Sequence, residues 1–267
     1  VSNWKNHNEY WEYLEPRLAI HLANSVDSEV VAALMECLKH FSFCTEGLKA
    51  KIKANKLIAP KLDLFLVFGL DHLRCANLLY KNLNLAPAAI SARATLENWV
   101  NLRFIVKDKR PKHFADLYFR YQEIFKLMSL KKSPFLDPLS SEDEKKVLSE
   151  NPEWVDNETG RLFKQTHWTA KKGMTFMTML SNLKMEKYYS LYKTCSQFTH
   201  ASSITINLYN SPNGFGAIAQ EIQSRRMCLL IAIFAMETLT DYCNFFKVDY
   251  GYQEHHLIIE RLNKLSK

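Results

Sequence analysis

The chain has 267 residues, of which 47% are hydrophobic, with only seven glycines and eight prolines. This supplies a sizeable core and too few turn residues for a β-rich fold, so an all-α bundle of about eight to ten helices in one domain over residues 1–267 is predicted. The formal net charge of +7 suits an anionic partner and equally suits solvated helix ends, while six cysteines without a Cys-x-x-Cys pair exclude a zinc-finger pattern.

In chain order, residues 1–13 are polar and aromatic and lack the basic, apolar and small-residue succession of a signal peptide, so export is not expected. Tyr10, Leu14, Leu18 and Leu22 predict a helix over 9–24, kinked if Pro16 lies beyond its first turn. Asp27-Ser-Glu-Val opens a second helix, whose stripe of Val30, Leu34, Leu38, Phe41 and Leu48 runs to about residue 54. Pro60 allows the next start. Residues 62–83 are apolar almost all round and read as central, so Asp71, His72 and Arg74 need partners or solvent. Pro87 lies in the first turn of a helix reaching Lys107, and Pro111 starts another ending near Lys132.

Residues 133–160, with three prolines and the acidic Ser141-Glu-Asp-Glu, predict an exposed excursion carrying a short helix. Helices follow over 169–180 and 185–209, the second loosened near its end by Ile204-Thr-Ile206. Asn210-Ser-Pro-Asn-Gly-Phe-Gly is the clearest turn. Residues 217–246 and 253–265 then predict a C-terminal helical hairpin over 217–267 that packs on the core. Met227 to Met236 spans about half the roughly 20 residues of a membrane helix and is bounded by Arg225, Arg226 and Glu237, so it reads as a buried helix and no membrane is expected. Cysteines among apolar neighbours, as in Met227-Cys228-Leu-Leu, point to reduced thiols and a cytoplasmic setting.

Two helical couplets carry the chemistry. Arg93-Ala-Thr-Leu-Glu97 places a guanidinium and a carboxylate one turn apart on an otherwise apolar helix. Tyr189, Tyr192, Ser196 and His200 follow at spacings of 3, 4 and 4 and share one narrow stripe of a later helix. An imidazole there can act as a base near neutral pH, and an arginine can hold a phosphate bidentately. The same residues also suit plainer roles: an internal ion pair for Arg93 and Glu97, and packing or capping for the stripe.

The combination of Ala89-Ile-Ser-Ala-Arg93-Ala-Thr-Leu-Glu97-Asn-Trp, Trp168 and Tyr189-Ser-Leu-Tyr192-Lys-Thr-Cys-Ser196-Gln-Phe-Thr-His200 resembles a bacterial all-helical family of unknown function, over roughly residues 70–209. It is similar, more distantly, to the HEPN superfamily, which includes metal-independent ribonucleases of toxin–antitoxin and phage-defence systems. That resemblance implies a HEPN-like core and an RNA-cleaving effector or toxin needing neither metal nor cofactor. In it His200, Arg93, Glu97 and Ser196 would be catalytic, and Tyr192, Tyr189, Lys193, Lys107 and Arg110 would bind substrate. It also implies a homodimer or a partner sensor or antitoxin; the alternative is a non-catalytic module binding a nucleotide or protein. HEPN ribonucleases carry Arg-x(4 to 6)-His on one helix, a spacing absent upstream of His200, so the arginine must come from Arg93. The literal match, Arg161-Leu-Phe-Lys-Gln-Thr-His167, sits beside an expected loop.

Basic residues cluster at Lys49, Lys51, Lys53 and Lys56 and again at Lys107, Lys109, Arg110, Lys112 and His113, the second group following the Arg93 helix closely. There is no Gly-rich phosphate loop, His-Glu-x-x-His or Gly-x-Ser-x-Gly. Asp71-His72 and His255-His256 are adjacent residues that point about 100° apart on a helix, which makes poor metal chelates.

Overall fold

A computed structural model describes residues 26–51, 58–132, 140–163, 167–199, 210–211, 214–215 and 217–266. The helix expected over 9–24 and the segment 200–209 lie outside the described residues. The fold is all-α. Nine α-helices run through the described residues: α1 (Ser28–Lys51), α2 (Ala59–Lys81), α3 (Leu85–Lys107), α4 (Pro111–Lys132), α5 (Ser141–Glu150), α6 (Phe176–Asn182), α7 (Tyr189–Thr199), α8 (Ala217–Phe246) and α9 (Tyr252–Leu265). At the Asn210 turn, β1 (Asn210–Ser211) and β2 (Gly214–Phe215) form a minimal antiparallel pair.

Helix starts follow local chemistry. Pro60, Pro87 and Pro111 each fall in a first turn, where the missing N–H costs nothing. Ser140 Oγ accepts from the Asp143 amide at 3.0 Å to open α5, and Thr175 Oγ1 accepts from the Thr178 amide at 3.1 Å to open α6. Several ends are less conventional. Leu83, Lys184 and Lys247 occupy the left-handed region, with φ of 50°, 57° and 54°, and each following amide reaches back five residues, as Asn84 does to the Leu79 carbonyl at 3.0 Å. This is the Schellman stop usually given to glycine, and it costs a side chain roughly 1–2 kcal/mol.

The chain divides into two compact units, one holding residues 64–99 and the described parts of 26–54 and 190–267, the other residues 100–189 with the described part of 55–63. In the first unit α8 is central. Met227, Cys228, Leu229 and every residue from Ile231 to Met236 are buried, and α8 packs against α1 and α9. Part of it, Glu221–Phe246, is long and apolar enough to cross a membrane by length and composition, and 67% of its most apolar window is buried inside the fold.

Several polar groups in this core are paired. Trp99 Nε1 donates to Asp241 Oδ2 at 2.8 Å while its ring stacks on Phe234, and Asn98 donates to the Phe65 carbonyl at 3.0 Å. His255 on α9 bridges to α1 and α8: Nδ1 lies 3.3 Å from His40 Nε2, and Nε2 lies 2.8 Å from Thr240 Oγ1.

The second unit is built on aromatic rings. Trp168 meets Phe104, Phe114 and Tyr118 edge-on and donates through Nε1 to Asn101 at 3.0 Å. Lys61 pairs with Asp116. Residues 133–139 of the expected excursion lie outside the described residues. Of the remainder, α5 has no buried residue, whereas Trp154 just beyond it is fully buried and donates to the His167 carbonyl at 2.8 Å. This part of the strip is therefore anchored by one large ring.

Candidate functional site

Arg93 and Glu97 lie one turn apart on α3, whose Ala89, Ala92, Leu96 and Val100 face the core. On α7, Cys195 and Phe198 are buried, which leaves Tyr192 and Ser196 half-buried beside that packed edge. The two helices meet at these faces. Arg93 Nε donates to Glu97 Oε1 at 3.0 Å, Arg93 Nη2 donates to Tyr192 Oη at 3.1 Å, and the guanidinium carbon lies 4.8 Å from the centre of the Tyr192 ring. One cation thus joins an i,i+4 ion pair, a phenol hydrogen bond and a ring face.

Electrostatics set the protonation of Arg93 and Tyr192. Burial works against the Arg93 charge, but Glu97 and the Tyr192 oxygen more than offset it and hold the guanidinium above its usual range. Burial raises the Tyr192 phenol and the Glu97 carboxylate adds to this, with Arg93 pulling the other way. Tyr192 is therefore a neutral phenol near pH 7, a donor and acceptor but no base. Arg93 is 25% exposed at its side chain, and among the described residues its Nη1 makes no hydrogen bond, so part of the cation's edge faces outward. Cys195 is buried below, its thiol raised to about 11, and contacts Met227.

Ser196 sits one turn beyond Tyr192, and its hydroxyl donates to the Tyr192 carbonyl at 2.7 Å. Its proton is committed to the helix backbone, and what remains is an acceptor oxygen. His200 lies outside the described residues. Lys193 is exposed on α7, and Tyr189 is half-buried at the start of that helix and is counted with the second unit. Lys107 and Arg110 also belong to the second unit; both are exposed, and the Arg110 guanidinium lies 5.6 Å from the Phe114 ring. Lys171, not singled out from the sequence, is exposed there too, with Nζ 5.0 Å from the Phe114 ring.

The literal Arg161-to-His167 pattern has neither end on a helix. Arg161 is exposed in a bend, while His167 is half-buried against Thr169, at 3.0 Å, with burial lowering its pKa to about 4. His72, flagged as needing a partner, lies 2.5 Å from Ser91, two residues before Arg93. A mid-helix serine has no spare backbone N–H beside it to hold an oxyanion, so this pair reads as packing. Among the described residues no group of three or more His, Cys, Asp or Glu side chains is arranged to hold a metal. Surface hollows of about 430 Å³ beside Cys44 and Tyr250 and about 450 Å³ beside Arg225 and Arg261 are lined by none of the Arg93 cluster.

These features define an all-helical protein with a half-buried arginine–carboxylate–phenol cluster where two sequence-distant helices touch. The chain belongs to a family of unknown function (DUF5677), whose model matches residues 64–217, more than half of its length and a span containing Arg93, Glu97, Tyr192 and Ser196. No curated protein and no solved structure gives a significant match.

Proposed function

We propose that the chain is a HEPN-like, metal-independent endoribonuclease that acts in the cytoplasm as an effector or toxin in bacterial defence or stress response. The observation that carries the reading is the Arg93 to Tyr192 contact, 3.1 Å across 99 residues of sequence, which joins the Arg93–Glu97 turn to Tyr192 on α7. In this reading Arg93 holds the scissile phosphate through its outward edge and stabilises the charge that builds on it. Glu97 and Tyr192 fix the guanidinium, and Lys193 contacts the RNA backbone.

His200 takes the proton from a ribose 2′-hydroxyl, the 2′-oxygen bonds to the adjacent phosphorus, and the 5′-oxygen leaves and takes up a proton. The products are a 2′,3′-cyclic phosphate and a free 5′-hydroxyl. Ser196 serves as an acceptor for a ribose or base donor, in keeping with its committed proton.

The test is purified protein with total RNA, with and without a chelator, compared with Arg93→Ala and His200→Ala. Expected are cutting that survives chelation, cyclic-phosphate ends, no cutting of DNA, and a loss of at least about a hundredfold in each variant. Absence of cutting by the unmodified chain, or equal cutting by both variants, refutes the reading. A second reading, a non-catalytic module for a nucleotide or a protein partner such as a sensor or antitoxin, draws on a specific observation: two Arg93 donors and the Ser196 proton are already engaged within the fold.

A further inference from the structure

The outer face of α2 is unlike that of the other long helices. Leu64 is 52% exposed, Val67 53% and Leu78 62%, with Phe68 beside them at 41%. The opposite face, with Phe65, Leu66, Leu73, Ala76 and Tyr80, fills the core. The exposed positions have a regular order: Leu64, Val67, Asp71, Arg74, Leu78 and Lys81 follow at steps of 3, 4, 3, 4 and 3 and all face solvent. This is the spacing of a helix–helix seam, in which apolar layers flank one charged layer. A helix that served only its own fold would carry polar residues along this stripe.

We propose that this face is the seam through which two copies of the chain associate as an antiparallel helix pair. The charges select both the occupant and its direction. A two-fold axis between residues 72 and 73 sets Asp71 opposite Arg74 of the partner subunit, and does so twice, because the stripe is symmetric about that point. The same axis sets Val67 opposite Leu78 of the partner subunit, again twice, and lays the aliphatic stem of each Lys81 over the Leu64 it meets. A parallel pair would bring Asp71 against Asp71 and Arg74 against Arg74, which repel. Within one chain the two charges are only loosely joined, at 3.4 Å and with side chains 63% and 60% exposed, so both are available to exchange partners.

The charged layer provides the test. Sedimentation velocity of the full chain over about 1 to 100 µM should show a dimer. Asp71→Arg and Arg74→Asp should each raise the dimer dissociation constant by at least about tenfold, since each sets like charges face to face. Mixing the two variants should restore association, and the double exchange Asp71→Arg with Arg74→Asp should behave as the unmodified chain. Cys75, the exposed one of six cysteines, lies beside the seam, so a short bis-maleimide should join two unmodified chains there. Circular dichroism melts confirm that each variant is folded. A monomer at every concentration overturns the proposal, as does a dimer indifferent to both single reversals or a mixture of variants that fails to associate.

Discussion

Consider acidification from pH 7 to pH 4. His255 sits where α9 meets α1 and α8, with His40 from α1, Thr240 from α8, and Tyr250, Glu254 and His256 from its own segment around it. Burial, reinforced by His40, lowers its pKa from 6.5 to about 4. In the unfolded chain the same imidazole takes up its proton near pH 6.5. Between these values the unfolded state holds more protons, so the stabilisation is fully present above about pH 6.5 and is lost as pH falls toward 4.

A difference of about 2.5 pH units, at 1.36 kcal/mol each, amounts to about 3 kcal/mol by pH 4 from this group alone. Urea unfolding followed by circular dichroism at intervals from pH 8 to 4 measures it. His255→Gln should be less stable at pH 7.5 by about 1–2 kcal/mol through the disturbed contacts to His40 and Thr240, yet lose about 3 kcal/mol less on acidification than the unmodified chain. If both proteins lose stability in parallel across this range, the assignment of a buried neutral imidazole to His255 is wrong.

Other expectations follow from the same packing. Trp99→Phe removes the indole donor to the buried Asp241 and should cost about 2–3 kcal/mol in a thermal melt. Trp154→Ala should destabilise the second unit by about 3–5 kcal/mol and increase protease cutting around residues 140–163, because this fully buried ring anchors the strip beyond α5. Ellman's reagent should titrate one thiol, Cys75, in the native chain and all six after unfolding, as Cys37, Cys44, Cys195, Cys228 and Cys243 are buried. A native count well above one contradicts the core described above.

Helix periodicity was legible because long apolar stripes leave few ways to bury themselves. α1 through α4 fall within a few residues of where Asp27, Pro60, Pro87 and Pro111 place their starts. The ends expected at 83, 180 and 246 lie within two residues of those observed, but the left-handed conformation of the stops at Leu83, Lys184 and Lys247 is signalled by no glycine. The pairings Trp99 with Asp241 and His40 with His255 span 142 and 215 positions, and no local pattern signals such contacts. His255-His256 was legible only as a poor chelate, since burial of the first and exposure of the second come from how α9 docks.

The candidate site divides along the same line. The sequence alone determined that Arg93 and Glu97 share one turn and that Tyr192 and Ser196 share another, because helical pitch makes i and i+4 neighbours wherever a helix forms. Whether the two turns meet is not a property of either helix. It depends on α3 and α7 each burying an apolar face, which leaves Tyr192 3.1 Å from the guanidinium and raises its phenol by desolvation. Tertiary packing alone likewise decided that the Ser196 proton goes to a backbone carbonyl and that one apolar stripe of α2 remains in solvent. Periodicity specifies which residues lie on a common face; burial and distance, fixed only when the helices pack, specify what that face can do.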